Sequence, residues 1–397
     1  MLGLADDSER CAMYFDFLYY RKVLAYTWAQ RQWPGRNRTL LKLIVLVPLQ
    51  TFMHQLCFLL DYVFFPALWR QQVKTPVFIV GHARSGTTLM HRLMAADGER
   101  FSYFLYWETF FPALTEKAIV RGIAWLDRKL FSRVLQKRLE AWDEKTFGPW
   151  RHIHNQGLWI PEEDLFVMKA AFMPQQWALE LPLMDEVDIF HIDELSEKRK
   201  RRWLHHYKEC VKRQLLRSGG GKIHLSKNPV MSGWVSALLE TFPDAKIVVM
   251  VRDPIQCIPS TLRLVEMTWE TRKWGKKEYA GAQQALTDIC FDCFKLPAEA
   301  LAQHPNAPHF IVDYRDLVKA PKATIESAYE ALQLPLTDDF SGFLTKQEEK
   351  EKKHSSHYTY DLNDYAVTAA EIESELDNFY QRYKWPRSNE RTVSAGS

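Results

Sequence analysis

The most constraining feature of this 397-residue sequence is a short apolar run followed by a loop bracketed by glycines. Val77–Val80 is apolar and rich in β-branched residues, and Pro76 and Gly81 bound it, which is the pattern of a buried strand. The loop then reads GHARSGTT, and apolar residues at four-residue spacing predict a helix over 87–94. Backbone amides of such a loop, together with a helix N-terminus, form a cradle for phosphate. The sequence therefore predicts an α/β fold built around an anion-binding loop.

The loop differs at one position from that of the nucleotide triphosphatases. Two glycines have the spacing of the G-x-x-x-x-G-K-[ST] motif, but Thr87 occupies the place of the lysine. That lysine reaches the β- and γ-phosphates of a triphosphate. The positive charge here is Arg84, which lies earlier in the loop. We therefore expect the loop to bind the phosphate of a different ligand through its backbone amides, the Arg84 cation and the hydroxyls of Thr87 and Thr88.

A second anion site is predicted at the end of the clearest strand. Residues 246–251 (KIVVMV) predict a buried strand, Arg252 follows it directly, and Ser260 lies on the next helix. Open α/β sheets bind ligands at the carboxyl ends of their strands, where such a cation and hydroxyl can hold a phosphate. One ligand with two separated phosphates would use both sites. Arg84 and Arg252 are then expected on the same face of the molecule.

The rest of the pattern predicts a parallel sheet flanked by helices. Further strands are expected at 222–225 and 309–312, with helices over 114–145, 193–217 and 234–242. Because helices separate the strands, a parallel sheet with right-handed crossovers is the economical fold.

The N-terminal part of the chain has a different character. Residues 10–72 are rich in leucine and aromatic residues without strand alternation, which predicts a helical N-terminal layer. We divide the chain into a helical region, 1–74, and an α/β domain, 75–397. Residues 43–60 carry no formal charge, but their proline, glutamine and histidine residues make a membrane span costly. We expect a helix that is buried or lies on a membrane surface, with peripheral contact through residues 41–68.

Composition excludes some other functions. A formal net charge of +3 is too small to indicate nucleic-acid binding, although it allows a local basic pocket for an anion. Cys290 and Cys293 form a lone C-x-x-C without a second pair or nearby histidines at ligand spacing, so no metal site is predicted.

Taken together, these motifs resemble the PAPS-dependent sulfotransferases. PVFIVGHARSGTTLMHRLMAAD resembles their 5′-phosphosulfate loop, and KIVVMVRDPIQCIPST resembles their 3′-phosphate-binding segment. LSKNP at 225–229 resembles the lysine-bearing strand end of bacterial members, and VDYRDLVKAP at 312–321 resembles a further family segment. The resemblance implies a P-loop-like sulfotransferase fold without a metal. It also implies transfer of a sulfuryl group from 3′-phosphoadenosine 5′-phosphosulfate (PAPS) to an acceptor hydroxyl or amine.

The resemblance implies a role for each matching residue. Arg84, Ser85, Gly86, Thr87 and Thr88 would hold the 5′-phosphate, with Arg84 reaching the oxygen that bridges phosphorus and sulfur. Arg252 and Ser260 would hold the 3′-phosphate. Lys227 would neutralise charge on the transferring sulfuryl group. Tyr314 would touch the adenosine, although its position is equally consistent with a core tyrosine.

An acceptor hydroxyl must lose a proton, so a general base is expected. The candidates lie in residues 151–164, where Pro161 followed by acids is also the composition of a helix start. That alternative accounts for one or two of the three acids. Because related bacterial sequences resemble this P-E-E segment, we rank the candidates Glu163, then Glu162, then His154.

Acceptor and location are less constrained by the sequence. A small molecule, a lipid or a carbohydrate is expected as acceptor, and the apolar N-terminal third prompts the lipid. The polar, acidic start MLGLADDSER does not resemble a cleavable signal peptide. We expect a cytoplasmic protein that associates with the inner membrane face if residues 41–68 contact lipid.

Two alternative functions remain open at this point. A P-loop kinase-like phosphotransferase could use Asp253 to bind magnesium, but the missing loop lysine opposes it. A non-catalytic nucleotide-binding module is opposed by the intact Arg84, Lys227 and Arg252.

Overall fold

The computed structural model describes residues 14–151, 156–173, 175–351 and 367–390. Its centre is a parallel sheet, as predicted, and helices flank it. The strands are β1 (Val77–Gly81), β2 (Phe101–Ser102), β3 (Ile223–Lys227), β4 (Lys246–Val251) and β5 (His309–Asp313). Their order across the sheet is β2-β3-β1-β4-β5, and each neighbouring pair is parallel. β1 therefore has β3 on one side and β4 on the other, which places the predicted anion-binding loop at the middle of the sheet's carboxyl edge.

Seventeen α-helices occur in the described part of the chain. They are α1 (Phe17–Ala29), α2 (Arg36–Leu41), α3 (Val47–Phe64), α4 (Thr87–Ala95), α5 (Tyr106–Phe110), α6 (Leu114–Leu130), α7 (Val134–Phe147), α8 (Gln175–Glu180), α9 (Glu197–Arg217), α10 (Val235–Thr241), α11 (Pro254–Thr271), α12 (Lys276–Gln303), α13 (Tyr314–Lys319), α14 (Pro321–Ala331), α15 (Asp338–Glu351), α16 (Ala369–Glu375) and α17 (Asp377–Tyr383). A π-helical segment, Lys42–Leu46, joins α2 to α3. Short 3-10 helices cover Pro66–Trp69, Gly148–Trp150, Asp164–Ala171, Ile192–Glu194 and Pro229–Trp234.

Alternation along β1 creates two apolar cores, one on each face of the sheet. Phe78 and Val80 join a core that includes Tyr19, Val23 and Leu43 of the N-terminal layer. Val77 and Ile79 face the other core, which α4 and α14 cover. The helical layer is thus confirmed, and it packs directly on one face of the sheet.

One sequence-based strand boundary was wrong, and one predicted helical stretch is divided. The strand expected at 222–225 runs instead from Ile223 to Lys227, so Lys227 is its last residue. The helical character predicted for 114–145 is confirmed, but the stretch is divided into α6 and α7 because Ser132 (φ 49°) and Arg133 (φ 64°) adopt left-handed backbone conformations. These two residues reverse the chain between α6 and α7.

The helical stretch Arg36–Phe64 is 29 residues long. By length and composition it is the one described helix that could cross a membrane. One side of α3 is nevertheless held by protein: the Asp61 carboxylate accepts hydrogen bonds from the Leu114 and Thr115 amides (2.9 and 2.7 Å) and from Arg213 Nε (2.8 Å). A buried carboxylate paired in this way fixes α3 against α6 and α9.

Candidate active site

The β1–α4 loop can be built only with glycines at its two ends. Gly81 has a φ of 122°, and a Cβ there would lie 2.2 Å from the Met250 carbonyl oxygen. Gly86 has a φ of 91°, and a Cβ there would lie 2.5 Å from Cδ2 of Tyr314. Both conformations disfavour L-residues, and both positions also lack room for a side chain. The loop is therefore pressed tightly against β4 and against the start of α13.

Hydrogen bonds inside the loop fix its shape. The Ser85 hydroxyl and amide both donate to the His82 carbonyl oxygen (2.6 and 3.2 Å), and the Gly81 amide donates to Ser232 Oγ (2.8 Å). Thr87 and Thr88 form the first turn of α4, where backbone N–H groups have no acceptor within the helix. These amides and the helix dipole favour an anion at this point.

The structure brings the two predicted anion sites together. Arg252 Nη1 donates to the Arg84 carbonyl oxygen (3.0 Å), although these residues are 168 positions apart in the chain. Arg84 Nε donates to Ser260 Oγ (3.2 Å). The guanidinium carbon of Arg252 lies 4.4 Å from the ring centroid of Tyr314, so the two side chains make a cation–π contact. Arg84, Arg252, Ser260 and Tyr314 thus form one cluster at the carboxyl ends of β1, β4 and β5.

A second charged cluster lies at the end of β3, which pairs with β1 through Ile79 and Lys227. Lys227 Nζ lies 3.1 Å from Glu163 Oε1 and 3.8 Å from Glu162 Oε1. Burial acts to lower the pKa of Lys227, but its attraction to the two carboxylates outweighs burial and raises that pKa. The ammonium therefore remains charged at neutral pH.

The two acids of the P-E-E segment differ in accessibility. The Glu162 side chain is 3% exposed, and its Oε1 accepts a hydrogen bond from the Glu163 amide (3.0 Å). The Glu163 side chain is 18% exposed. The alternative interpretation, in which Pro161 begins a helix, does not hold: Pro161 pairs with Leu105 in an isolated antiparallel bridge, and the 3-10 helix begins at Asp164. His154 lies outside the described residues.

Sequence reasoning missed the residues that orient Glu163. Gln175 Nε2 donates to Glu163 Oε2 (3.0 Å), and Asn228 Nδ2 donates to Gln175 Oε1 (3.2 Å). Asn228 follows Lys227 in the LSKNP motif, so its position was a usable signal. Gln175 belongs to no pattern in the sequence, and only the tertiary fold brings it to the site.

A buried polar network lies directly behind the carboxylates and was also missed. Asp164 Oδ1 accepts a hydrogen bond from Ser226 Oγ (3.0 Å). Its other oxygen accepts one from the Tyr207 hydroxyl and lies 3.0 Å from His224 Nε2. Because Asp164 follows Glu163 directly and Ser226 precedes Lys227 directly, this network fixes both segments of the charged cluster.

Asp253, the residue that a kinase could use for magnesium, has a structural role here. Its carboxylate accepts hydrogen bonds from the Ile255 amide (3.2 Å) and the Tyr380 hydroxyl (3.3 Å), and so caps α11. Within the described residues no group of three or more histidine, cysteine or acidic side chains has a metal-binding arrangement. Cys290 and Cys293 are buried in α12, and burial raises the pKa of both thiols.

Comparison with known proteins identifies the family. A model of the sulfotransferase family matches residues 76–339, which include the loop, Lys227 and Arg252. The chain belongs to the sulfotransferase family. Two relatives, from Mycobacterium bovis and Mycobacterium tuberculosis, are both named omega-hydroxy-beta-dihydromenaquinone-9 sulfotransferase Stf3. Each is 23% identical over 330 residues, which cover 79% of this chain and 76% of the relative.

Solved structures confirm the fold. Sulfotransferase STF9 from Mycobacterium avium superimposes with a TM-score of 0.70 at 20% identity, covering 93% of this chain and 92% of that one. Sulfotransferase STF1 from Mycobacterium tuberculosis H37Rv gives a TM-score of 0.65 at 19% identity, with coverages of 90% and 92%. This sulfotransferase therefore has the predicted fold, a parallel sheet flanked by helices.

Proposed function

We propose that this sulfotransferase transfers the sulfuryl group of PAPS to an acceptor hydroxyl. The observation that carries the proposal is the junction of two distant segments beside the β1–α4 loop: Arg252 donates to the Arg84 backbone carbonyl, and Arg84 Nε donates to Ser260 Oγ. A nucleotide with phosphates at both its 3′ and 5′ positions would supply negative charge to both arginines.

The loop and the cluster fit the two ends of such a donor. The 5′-phosphosulfate would lie on the amides of the α4 first turn, with Arg84 and the threonines Thr87 and Thr88 around it. The 3′-phosphate would lie on Arg252 and Ser260. Because the ring of Tyr314 lies beneath the Arg252 guanidinium, we assign it to positioning that cation.

The transfer step follows from the second cluster. The acceptor oxygen attacks the sulfur of the donor while Glu163 takes the hydroxyl proton. The bond between sulfur and the bridging oxygen breaks, and its electron pair remains on the 5′-phosphate of the leaving adenosine 3′,5′-bisphosphate. Lys227 would neutralise negative charge on the sulfuryl oxygens. Arg84 would stabilise the negative charge of the leaving phosphate without donating a proton. Glu163 is preferred to Glu162 because its side chain is the more exposed of the two.

We further propose that the acceptor is a hydroxylated lipid. The names of the mycobacterial relatives specify a menaquinone-type acceptor, which is a lipid. In this chain, residues 41–68 expose large apolar side chains that a membrane would cover, including Leu49 and Phe52. A cytoplasmic enzyme at the inner membrane face would meet both a soluble donor and a lipid acceptor.

Radiolabelled donor tests the reaction. The protein is incubated with PAPS labelled on sulfur and with a panel of long-chain alcohols, hydroxylated quinones and sugars, in the presence of a chelator. We expect label on a lipid acceptor together with stoichiometric adenosine 3′,5′-bisphosphate, and loss of both with Glu163→Gln. The matched control is Glu330→Gln, which changes an exposed acid on α14. Magnesium-dependent transfer of the γ-phosphate of ATP would instead identify a kinase, and nucleotide binding without transfer to any acceptor would identify a binding module.

A further inference from the structure

Helix α3 buries several polar residues and exposes most of its large apolar ones, unlike a typical surface helix in water. Three of the five buried residues on its protein-facing stripe are polar (Thr51, His54 and Asp61), and the other two are Cys57 and Phe58. Its other side exposes large apolar residues, including Phe52 (65% exposed) and Val63 (67% exposed). A surface helix of a water-soluble protein normally buries its apolar side and exposes its polar side. The exposed side of α3 therefore indicates an apolar partner.

The α6–α7 hairpin presents a second apolar surface. The Asp127 carboxylate accepts hydrogen bonds from the Leu135 and Gln136 amides (2.9 and 3.0 Å), which caps α7 and fixes the turn. This well-built turn exposes Leu130 (68%) and Phe131 (60%) at its tip. Both helices expose further apolar residues: Ile119, Ile123 and Trp125 on α6, and Val134, Leu139 and Trp142 on α7. The hairpin is ordered by its own hydrogen bonds while its apolar side chains remain exposed.

The charges around this tip indicate the kind of partner. Between Ile119 and Trp142 six basic side chains are exposed against one acidic side chain, Glu140. The six basic residues are Arg121, Arg128, Lys129, Arg133, Lys137 and Arg138. Within the described part of the chain, none of these six forms a salt bridge with a carboxylate. Cations interleaved with apolar and tryptophan residues are typical of surfaces that bind anionic lipid.

We propose that α3 and the α6–α7 hairpin form one docking surface for an anionic lipid bilayer, with Leu130 and Phe131 inserted among the headgroups. The two parts are rigidly joined, because the Asp61 carboxylate of α3 accepts the Leu114 and Thr115 amides at the start of α6. A second copy of the chain fits less well as partner. A symmetric contact would bring the same excess of positive charge to both sides of the interface.

Both parts of the docking surface are connected to the segment that carries Glu163. Asp143 of α7 accepts the Leu158 amide (2.7 Å), five residues before Glu163. Thr51 of α3 donates to the Ala170 carbonyl oxygen (3.1 Å), in the 3-10 helix that follows Glu163. A lipid acceptor leaving the bilayer at this surface would therefore meet the segment that carries the candidate base. This last step rests on the proposed function, whereas the docking itself does not.

Vesicle co-sedimentation of the full chain tests the proposal without any catalytic readout. Vesicles of phosphatidylcholine alone are compared with vesicles of phosphatidylcholine mixed with phosphatidylglycerol. We expect the wild type to prefer the anionic vesicles. The tip variant Leu130→Ser/Phe131→Ser should lower its partition coefficient by about tenfold or more, because two large apolar side chains no longer enter the bilayer.

A charge variant, Arg128→Gln/Lys129→Gln/Arg133→Gln, should remove most of the preference for anionic vesicles, because each basic residue near such a surface contributes about fivefold. The matched control, Val318→Ser/Leu336→Ser, changes two exposed apolar residues elsewhere and should bind like the wild type. Unchanged unfolding temperatures verify that every variant folds.

Three results would overturn the proposal. The wild type could bind neither kind of vesicle, or the tip variant could bind as well as the wild type. Alternatively, the wild type could be a dimer in solution that ignores vesicles and that the tip variant separates, which would make this face a subunit interface. Failure of the proposed reaction would show separately, as absence of sulfuryl transfer from labelled PAPS to any acceptor.

Discussion

Replacing Lys227 by methionine should weaken both the fold and the reaction. Its Nζ lies 3.1 and 3.8 Å from oxygens of Glu163 and Glu162, and its side chain is 2% exposed. At an effective dielectric constant of about 20, each contact attracts with roughly 4–5 kcal/mol, which the desolvation of the charges largely offsets. Removing one partner of a buried pair costs about 3–5 kcal/mol. Because water can still reach Glu163, we expect the free energy of unfolding to fall by about 3 kcal/mol.

Urea unfolding measures this loss, and a double-mutant cycle with Glu163→Gln isolates the contact. The coupling energy between the two residues is expected to be roughly 1–3 kcal/mol. Turnover of Lys227→Met should fall about 100-fold or more, since a charge aimed at the transferring group is lost. The matched variant Lys227→Arg keeps the charge and should retain most of the stability. A stability change within about 0.5 kcal/mol together with unchanged turnover would refute both roles.

Two further predictions concern the loop and a remote histidine. Gly86→Ala places a methyl group 2.5 Å from Tyr314, at a residue whose φ is 91°. Because this strains the loop, titration calorimetry should show that adenosine 3′,5′-bisphosphate binds about tenfold more weakly than to the wild type. Equal affinity would mean that the loop does not hold the nucleotide. Hydrogen bonds to Asp188 and Asp292 raise the pKa of His191 from 6.5 to about 10. Its stabilising contribution is complete below pH 6.5 and lost as pH rises to about 10. Thermal unfolding across that pH range should show the unfolding temperature of the wild type falling towards that of His191→Gln. A difference in unfolding temperature that stays constant with pH would contradict the ion pairs of His191 with Asp188 and Asp292.

The parts of the fold that follow from local pattern could be predicted from the sequence. β1 and β4 are buried on both faces, so their apolar runs are continuous and their bounds are clear. β2 has two residues, which is too short for any periodicity. The turn between α6 and α7 was missed because Ser132 and Arg133 are not typical residues for left-handed conformations.

The candidate site divides in the same way. The loop and Arg252 follow strands directly, so motif spacing located them. The contact of Lys227 with Glu163 joins residues 64 positions apart, and Gln175 reaches the same carboxylate from a helix without a motif. Such contacts depend on how segments pack, which local patterns do not contain. The apolar character of residues 43–60 was visible, but which side of α3 is buried depends on the pairing of Asp61 with Arg213.

Isothermal titration with adenosine 3′,5′-bisphosphate and with adenosine 5′-monophosphate tests most directly whether the two cations bind opposite ends of one nucleotide. We expect the wild type to bind the bisphosphate roughly 10- to 100-fold more tightly than the monophosphate. This is the gain in affinity expected from charge-assisted hydrogen bonds to one additional phosphate. Arg252→Ala should abolish that preference, and Arg84→Ala should weaken both ligands. Equal affinity of the wild type for the two nucleotides, or a preference that survives Arg252→Ala, would contradict the assignment.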